Sequence, residues 1–456
     1  MRIQAVAFRG FAPFADGEIE FPAPETDESQ VGAAESTKLG TVHLLTGQNG
    51  TGKTRLLSLM AAACGNSKDL MDRVGAASAS SAFVRLFTRH QEGIWGPVNA
   101  DGVRSAHLTV SGGPEPKGSA KRPNPWTELV DSKQRLQKQT GQLHPNSLSW
   151  VTSEESMALA FRGTVRATDA KIVAMSPLQL GKEADHLAFD RPASEDTLVC
   201  QSMGNLKLAA AMEQLRPGVE STGRATIITR RLETAVSDVT GRRFAFDVRP
   251  SPEVHLKVFW GNVTMRIGEL PDGLRSIIGW LVSCIAKLDA KFPEHPSPLD
   301  IPLLLLLDEP ESHLHPAWQR KLIPAAQILF PNSQMFIATH SPFVISSVNH
   351  GWIHVLRANA DGLVVADKPR PCSPGDTYLG VVSDILGIEE WYDPETEKLL
   401  AEFRSIRKDV IEGRNSVDHL RSKAEVIAAR SESLSNMMAR ELRQLDRLMV
   451  AEVAEP

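Results

Sequence analysis

Apolar positions near the start of the chain alternate: Ile3, Val6 and Phe8, then Phe11 and Phe14, then Ile19 and Phe21, with Gly10 and Gly17 between them. Period-two spacing with glycine punctuation predicts two or three short strands in a meander. The polar, acidic and Ser/Gly-rich segment 22–40 predicts an exposed loop. Thr41 to Thr46 predicts a short strand, and Thr54 to Ala63 an apolar helix. Phe244, Phe246 and Val248, then Val254, Leu256 and Val258, then Val263, Met265 and Ile267 alternate again, as antiparallel strands with one covered face do.

From residue 269 the period changes. Leu274 to Leu288 has helical spacing, Leu303 to Leu307 is a continuous apolar run, Pro316 to Leu329 is helical, and Gln334 to Ala338 is a strand. This alternation predicts a parallel sheet, with Leu303–Leu307 covered on both faces. Trp352–Leu356 and Leu363–Ala366 read as closing strands. Earlier, 111–147 is rich in Gly, Pro, Lys and Gln and predicts an irregular excursion. Residues 148–180 predict strands ending in Lys171–Met175, and 197–241 predict helices broken at Pro217-Gly218 and Gly223. Residues 395–456 have almost no Gly or Pro and mix both charge signs, which predicts a helical tail without a sustained heptad.

Composition narrows the function classes. The 456 residues allow two to four domains, and a net charge of -5 argues against a surface coated for nucleic acid. Cys64, Cys200, Cys284 and Cys372 are scattered, which excludes a disulfide framework or zinc site and suits a reducing cytosol. The Leu303–Leu307 run is far short of the roughly 20 apolar residues of a membrane helix. Met1-Arg2-Ile3-Gln4-Ala5-Val6 has neither a long apolar stretch nor a small-residue cleavage site. A cytoplasmic protein with no membrane partner is expected.

Three motifs carry chemistry. Gly47-Gln48-Asn49-Gly50-Thr51-Gly52-Lys53-Thr54 matches G-x-x-x-x-G-K-[ST] between a strand and a helix. Its glycines let backbone N–H groups face a phosphate, Lys53 would neutralise the β- and γ-phosphates of ATP, and Thr54 would ligate Mg2+. Leu303–Leu307 ends in Asp308-Glu309-Pro310; two carboxylates at a strand's carboxyl end face the crevice where α/β ligands bind. Asp308 is the candidate Mg2+ ligand and Glu309 the candidate base for an attacking water. Phe336-Ile337-Ala338-Thr339-His340 ends the next strand in His340, a candidate γ-phosphate sensor.

In this order the motifs resemble an ATP-binding-cassette (ABC) ATPase of the soluble branch related to RecF and SMC proteins. The resemblance implies an α/β head: a mixed sheet with a phosphate loop, an antiparallel β subdomain and a helical lid insertion, plus a helical C-terminal tail. The divisions expected are 1–90, 91–265, 266–392 and 393–456. It also implies a homodimer or higher homo-oligomer that clamps ATP head to tail. Each site would then be completed by a partner's signature sequence, here Leu270-Pro271-Asp272-Gly273-Leu274-Arg275-Ser276. Gly273 is retained; Pro271 stands at the serine position, so hydrolysis is expected to be slow, with Arg275 or Ser276 as a substitute contact. Glu311-Ser312-His313-Leu314-His315-Pro316 would be the loop facing the partner, with Ser312 and His315 touching it, and Gln179 the glutamine that senses Mg2+ and the γ-phosphate. His313 and His315 alone make no closed metal site.

More than 200 residues separate Lys53 from Leu270, without heptads, which fits neither a transporter subunit nor a coiled-coil arm. Leu270–Trp280, Asp308–Pro316 and Gly375–Gly380 are similar to stand-alone ATPases of bacterial anti-phage operons, of the Septu and retron-linked kinds. That implies a sensor or regulatory ATPase gating a separately encoded nuclease or toxin. The alternative is a RecF-like DNA clamp, for which Lys117, Lys121, Arg122, Lys133, Arg135 and Lys138, or Arg224, Arg230, Arg231, Arg242 and Arg243, are the candidate patches.

Overall fold

Leu303–Asp308 is a strand with every residue buried, as the unbroken apolar run demands of a sheet covered on both faces. The computed structural model that shows this describes residues 2–8, 11–23, 39–64, 82–87, 92–98, 104–109, 156–163, 166–170, 172–173, 176, 178, 189, 197–215, 223–249, 254–373, 375, 377–388 and 391–453. The chain forms two units, Met1–Val381 and Val382–Pro456. The Lys117–Lys138 patch and Gln179 lie outside the described residues.

In the first unit, β1 (Arg2–Phe8) pairs antiparallel with β2 (Gly17–Glu20). Then β3 (Thr41–Gly47) leads through the glycine loop into α1 (Lys53–Ala63). β4 (Ala82–Phe87), β5 (Glu92–Val98) and β6 (Arg104–Thr109) extend the first hairpin into an antiparallel sheet ordered β2-β1-β4-β5-β6. β7 (Met157–Arg162) follows, then helices α2 (Leu198–Gln214) and α3 (Arg224–Thr240). β8 (Phe244–Arg249), β9 (His255–Trp260) and β10 (Val263–Arg266) make the expected small antiparallel sheet. After it come α4 (Asp272–Lys291), β11 (Leu303–Asp308), α5 (Pro316–Leu329), β12 (Ser333–Ala338) and the short α6 (Pro342–Ile345). β13 (Gly351–Ala358), β14 (Val364–Ala366) and β15 (Arg370–Pro371) close the unit's strands.

The central sheet has the order β14-β13-β3-β12-β11-β7, with β15 on β13. β13, β3, β12, β11 and β7 are mutually parallel. Their carboxyl ends therefore share one edge, which is where the motifs lie. The strand expected at Lys171–Met175 is not formed at Ile172 and Val173, which have irregular backbone. The side-chain amide of Gln201 takes the partners a strand would supply. It accepts from Val173 N at 3.0 Å and donates to Val173 O at 2.7 Å.

A buried polar chain ties the two larger sheets together. The Gln334 amide bonds both Ile3 N and Ile3 O at 2.9 Å, and its Nε2 lies 3.2 Å from His43 Nε2. His43 Nδ1 is 3.2 Å from His354 Nε2. Since Gln334 donates, His43 accepts at Nε2 and donates through Nδ1 to His354. Both histidines are fully buried, with Phe21 edge-on to each and Phe336 stacked on His43. Burial holds both neutral, and pushes His354 down to about 3.

These histidines should make the fold acid-labile. A histidine whose folded pKa lies below the unfolded value near 6.5 contributes stability above that value and loses it as pH falls toward about 3. For His354 the full loss is on the order of 5 kcal/mol. Thermal midpoints should fall steadily below pH 6.5, and His354→Gln should flatten that slope. Equal slopes in the two proteins would remove the histidines as the cause.

In the second unit, α7 (Pro394–Ile411), α8 (Val417–Ala428) and α9 (Glu432–Val453) are helices around one core. Leu400, Phe403, Val410, Leu420, Ala424, Ile427, Leu434, Met438 and Leu445 make that core. Asp393 and Ser416 cap α7 and α8 through their side chains. The apolar phase restarts at each cap, so no heptad runs through.

Candidate functional site

The glycine loop is held by close backbone approach. Gly47 has φ +142°, and a Cβ there would lie 2.1 Å from Leu356 O on the neighbouring strand. Gly52, at φ +81°, is packed against the Phe14 ring and opens α1 with no side-chain cap. The N–H groups of the first helical turn are thus left to an incoming anion. Lys53 is folded back onto the loop: Nζ donates to Gly47 O and Gln48 O at 3.0 Å and to Thr51 Oγ1 at 3.4 Å. Desolvation lowers its pKa to about 8, against the pull of Glu309 and Asp308. Gln48, Asn49 and Gly50 are exposed at the loop tip.

Parallel pairing brings the acidic pair to this loop. Asp308 ends β11, and its Oδ1 accepts from Thr54 Oγ1 at 3.0 Å. Arg162, directly across on β7, donates from Nε to Asp308 Oδ2 at 3.3 Å. Glu309 is exposed, in left-handed backbone at φ +50°. Its N–H donates to Ala338 O at 2.9 Å and its carbonyl accepts from Ser312 N at 3.0 Å. Gly163 makes room for this turn, since a Cβ there would lie 1.8 Å from Glu309 O. His340, half-buried, follows β12; burial and then Lys53 lower its pKa, so the ring is neutral. Lys53, Thr54, Asp308, Glu309 and His340 therefore converge at one edge of the sheet.

The predicted signature lies at the start of α4. Gly273 is buried, and a Cβ there would lie 2.9 Å from His313 O and 3.0 Å from Leu314 Cδ2. The helix's amino end carries Asp272, paired with Arg166 at 2.9 Å and Arg275 at 3.4 Å. Arg275 Nε also donates to Ala167 O at 2.9 Å. Ser276 is fully buried and donates to Gly163 O at 2.8 Å, a packing bond that withdraws its hydroxyl from ligand binding. His315 accepts from Ala317 N at 3.2 Å and so caps α5.

Arg162, Arg166 and Thr339 escape a reading from sequence. Arg162 is 146 residues from Asp308, and only the register of β7 on β11 unites them. Thr339 precedes the conspicuous His340 and bonds Glu311. Glu311 itself is buried.

The oxygen donors of Thr54 and Asp308 suit a hard divalent cation such as Mg2+. Among the described residues no three His, Cys, Asp or Glu side chains group as metal ligands. Nor, among the described residues, is any helix long and apolar enough to cross a membrane.

Residues 223–346, which carry the start of α4, Asp308, Glu309 and His340, match the AAA_21 family model, described as "AAA domain, putative AbiEii toxin, Type IV TA system". That stretch is similar to an AAA-type ATPase domain. The chain is similar to the Retron Ec83 probable ATPase of Escherichia coli, 32% identical over 96 residues, 21% of this chain and 18% of the relative. It is likewise similar to Septu protein PtuA of Bacillus thuringiensis, 27% identical over 139 residues, 29% of this chain and 35% of the relative. The chain thus matches about a fifth to a third of the length of these relatives. Among solved structures, an SMC head bound to the C-winged helix domain of ScpA aligns over 81% of this chain and 97% of its own, at 14% identity and a TM-score of 0.42.

Proposed function

We propose that this chain binds ATP with Mg2+ and hydrolyses it slowly, as the regulatory ATPase of an anti-phage complex that gates a separately encoded nuclease or toxin. The observation that carries the nucleotide reading is the convergence of Lys53, the Thr54–Asp308 pair, Glu309 and His340 beside an uncapped helix start. The defence role is supported by similarity to the retron and Septu proteins.

Each residue has a distinct task in this reading. Backbone N–H groups of Gly47–Thr54 hold the phosphates, and Lys53 leaves the loop carbonyls to neutralise them. Thr54 and Asp308 hold Mg2+, which supplies charge neutralisation at the phosphate oxygens. Glu309, exposed on a backbone pinned from both sides, orients and deprotonates water. His340, neutral, offers a ring nitrogen to the γ-phosphate. Gly273 with its helix, and Arg275, act on the ATP of a second copy, giving a head-to-tail homo-oligomer. Slow turnover is supported by Pro271 in place of a serine, and by the engagement of Ser276 within the chain.

Of the second candidate DNA patch, Arg230, Arg242 and Arg243 are exposed, whereas Arg224 and Arg231 are engaged in ion pairs. Arg224 pairs with Asp289 at 2.5 Å and Arg231 with Asp300 at 2.8 Å, which withdraws both from a free basic face.

The test is genetic. Phage protection in a plaque assay should require both this gene and its neighbour, and should be lost when either is deleted. Full protection by the ATPase alone would end the gating proposal.

A further inference from the structure

His340 sits between two residues whose polar groups close a ring of hydrogen bonds. Thr339 Oγ1 donates to Glu311 Oε1 and accepts from Ser341 N at 2.9 Å. Ser341 Oγ donates to Gln319 Oε1 at 2.6 Å, and Gln319 Nε2 donates to Leu314 O at 3.0 Å. Leu314 N donates to Glu311 O at 3.0 Å, which completes the circuit. Three segments are joined: the turn after Glu309, the first turn of α5, and the two residues flanking His340.

The ring is built into the interior at a cost. Thr339 is fully buried and Glu311 is 5% exposed, with Oε2 lacking a hydrogen-bond partner among the described residues. Burial pushes the Glu311 carboxyl up to about 7. A buried acid with one unpaired oxygen destabilises a fold by itself, so apolar packing at this position would be the simpler solution. The same turn has left-handed backbone at Glu309 and His313, and it presents His313 O and Leu314 to Gly273.

We infer that the Glu311–Thr339–Ser341–Gln319 ring is a positioning device that couples His340 to the turn carrying Glu309 and to the amino end of α4. Any shift of that turn, such as docking of a second copy would cause, is transmitted to the backbone on both sides of His340. This rests on the nucleotide reading above. Glu311, Thr339 and Gln319 are positioning residues here.

The test is a double-mutant cycle of single-turnover ATP hydrolysis in the full-length protein. Thr339→Val keeps shape and removes the donor; Gln319→Met opens the ring on its far side. Each should slow turnover about tenfold to a hundredfold, because small misplacements of a reacting geometry are that costly. ATP affinity should remain near wild type, Thr339→Val should lower the thermal midpoint because buried Glu311 loses its donor, and the double variant should be no slower than the slower single one. Thr339→Ser, which keeps the hydroxyl, should restore turnover. Multiplicative effects in the cycle, an unrescued serine variant, or Thr339→Val turning over at the wild-type rate would each overturn the coupling. A wild-type chain that does not turn over ATP would overturn the nucleotide reading and this inference with it.

Discussion

Glu309→Gln should keep ATP and stop hydrolysing it, with turnover reduced by about a hundredfold or more. The amide matches the carboxylate in shape but cannot take a proton from water. The backbone of Glu309 is fixed independently of its side chain, by Ala338 O on one side and Ser312 N on the other, and Gly163 leaves space for its left-handed turn. The exposed side chain makes the substitution nearly silent for folding. Nucleotide affinity should therefore stay within about threefold of wild type, since loss of a group that acts only in the transition state leaves ground-state binding intact. If two copies clamp ATP head to tail, the variant with ATP should accumulate as a larger species in size-exclusion chromatography. Wild-type turnover in the variant would remove Glu309 as the base, and an ATP-independent size would remove the clamp.

Lys53→Ala should weaken ATP binding at least about a hundredfold, close to 3 kcal/mol. The ammonium is the cationic group of the loop itself, and without it the phosphates meet Asp308 and Glu309 less fully compensated. Wild-type affinity should also depend on pH in a defined direction. In the empty site Lys53 loses its proton near pH 8, whereas bound phosphates favour the charged form. Above that pH, binding must take up a proton, so affinity falls by up to about tenfold per pH unit. Titration calorimetry from pH 7 to pH 9.5 would show this, and a flat profile would exclude Lys53 as the counter-charge.

The parts of this site that could be read from sequence are those whose chemistry is local. Gly47–Thr54 is one contiguous loop between β3 and α1, so its motif shows in a single window of sequence. Asp308, Glu309 and His340 announce themselves by ending apolar runs, where a charge is costly unless it has a partner. The alternating pattern of 243–268 and the α/β alternation after 269 gave their elements for the same reason: each depends on its own spacing. What could not be read depends on register and long-range closure. Arg162 meets Asp308 only because β7 lies parallel to β11 in that alignment. Glu311 and Thr339 are 28 residues apart, on segments that only the folded sheet edge brings together. The failed strand at Ile172–Val173 has a similar cause: its β-branched residues suit a strand, but a side chain 28 residues on satisfies the backbone first.

The pairing of Arg162 with Asp308 has a consequence for how the protein waits. With Thr54 on one carboxylate oxygen, Arg162 on the other, and Lys53 on loop carbonyls, Asp308 and Lys53 each have internal partners. Loading the site is an exchange of internal partners for external ones, so its affinity is a difference between two satisfied states. The set point of such a device can be moved by substitutions at Arg162 or the loop carbonyls' neighbours that never touch the bound ligand.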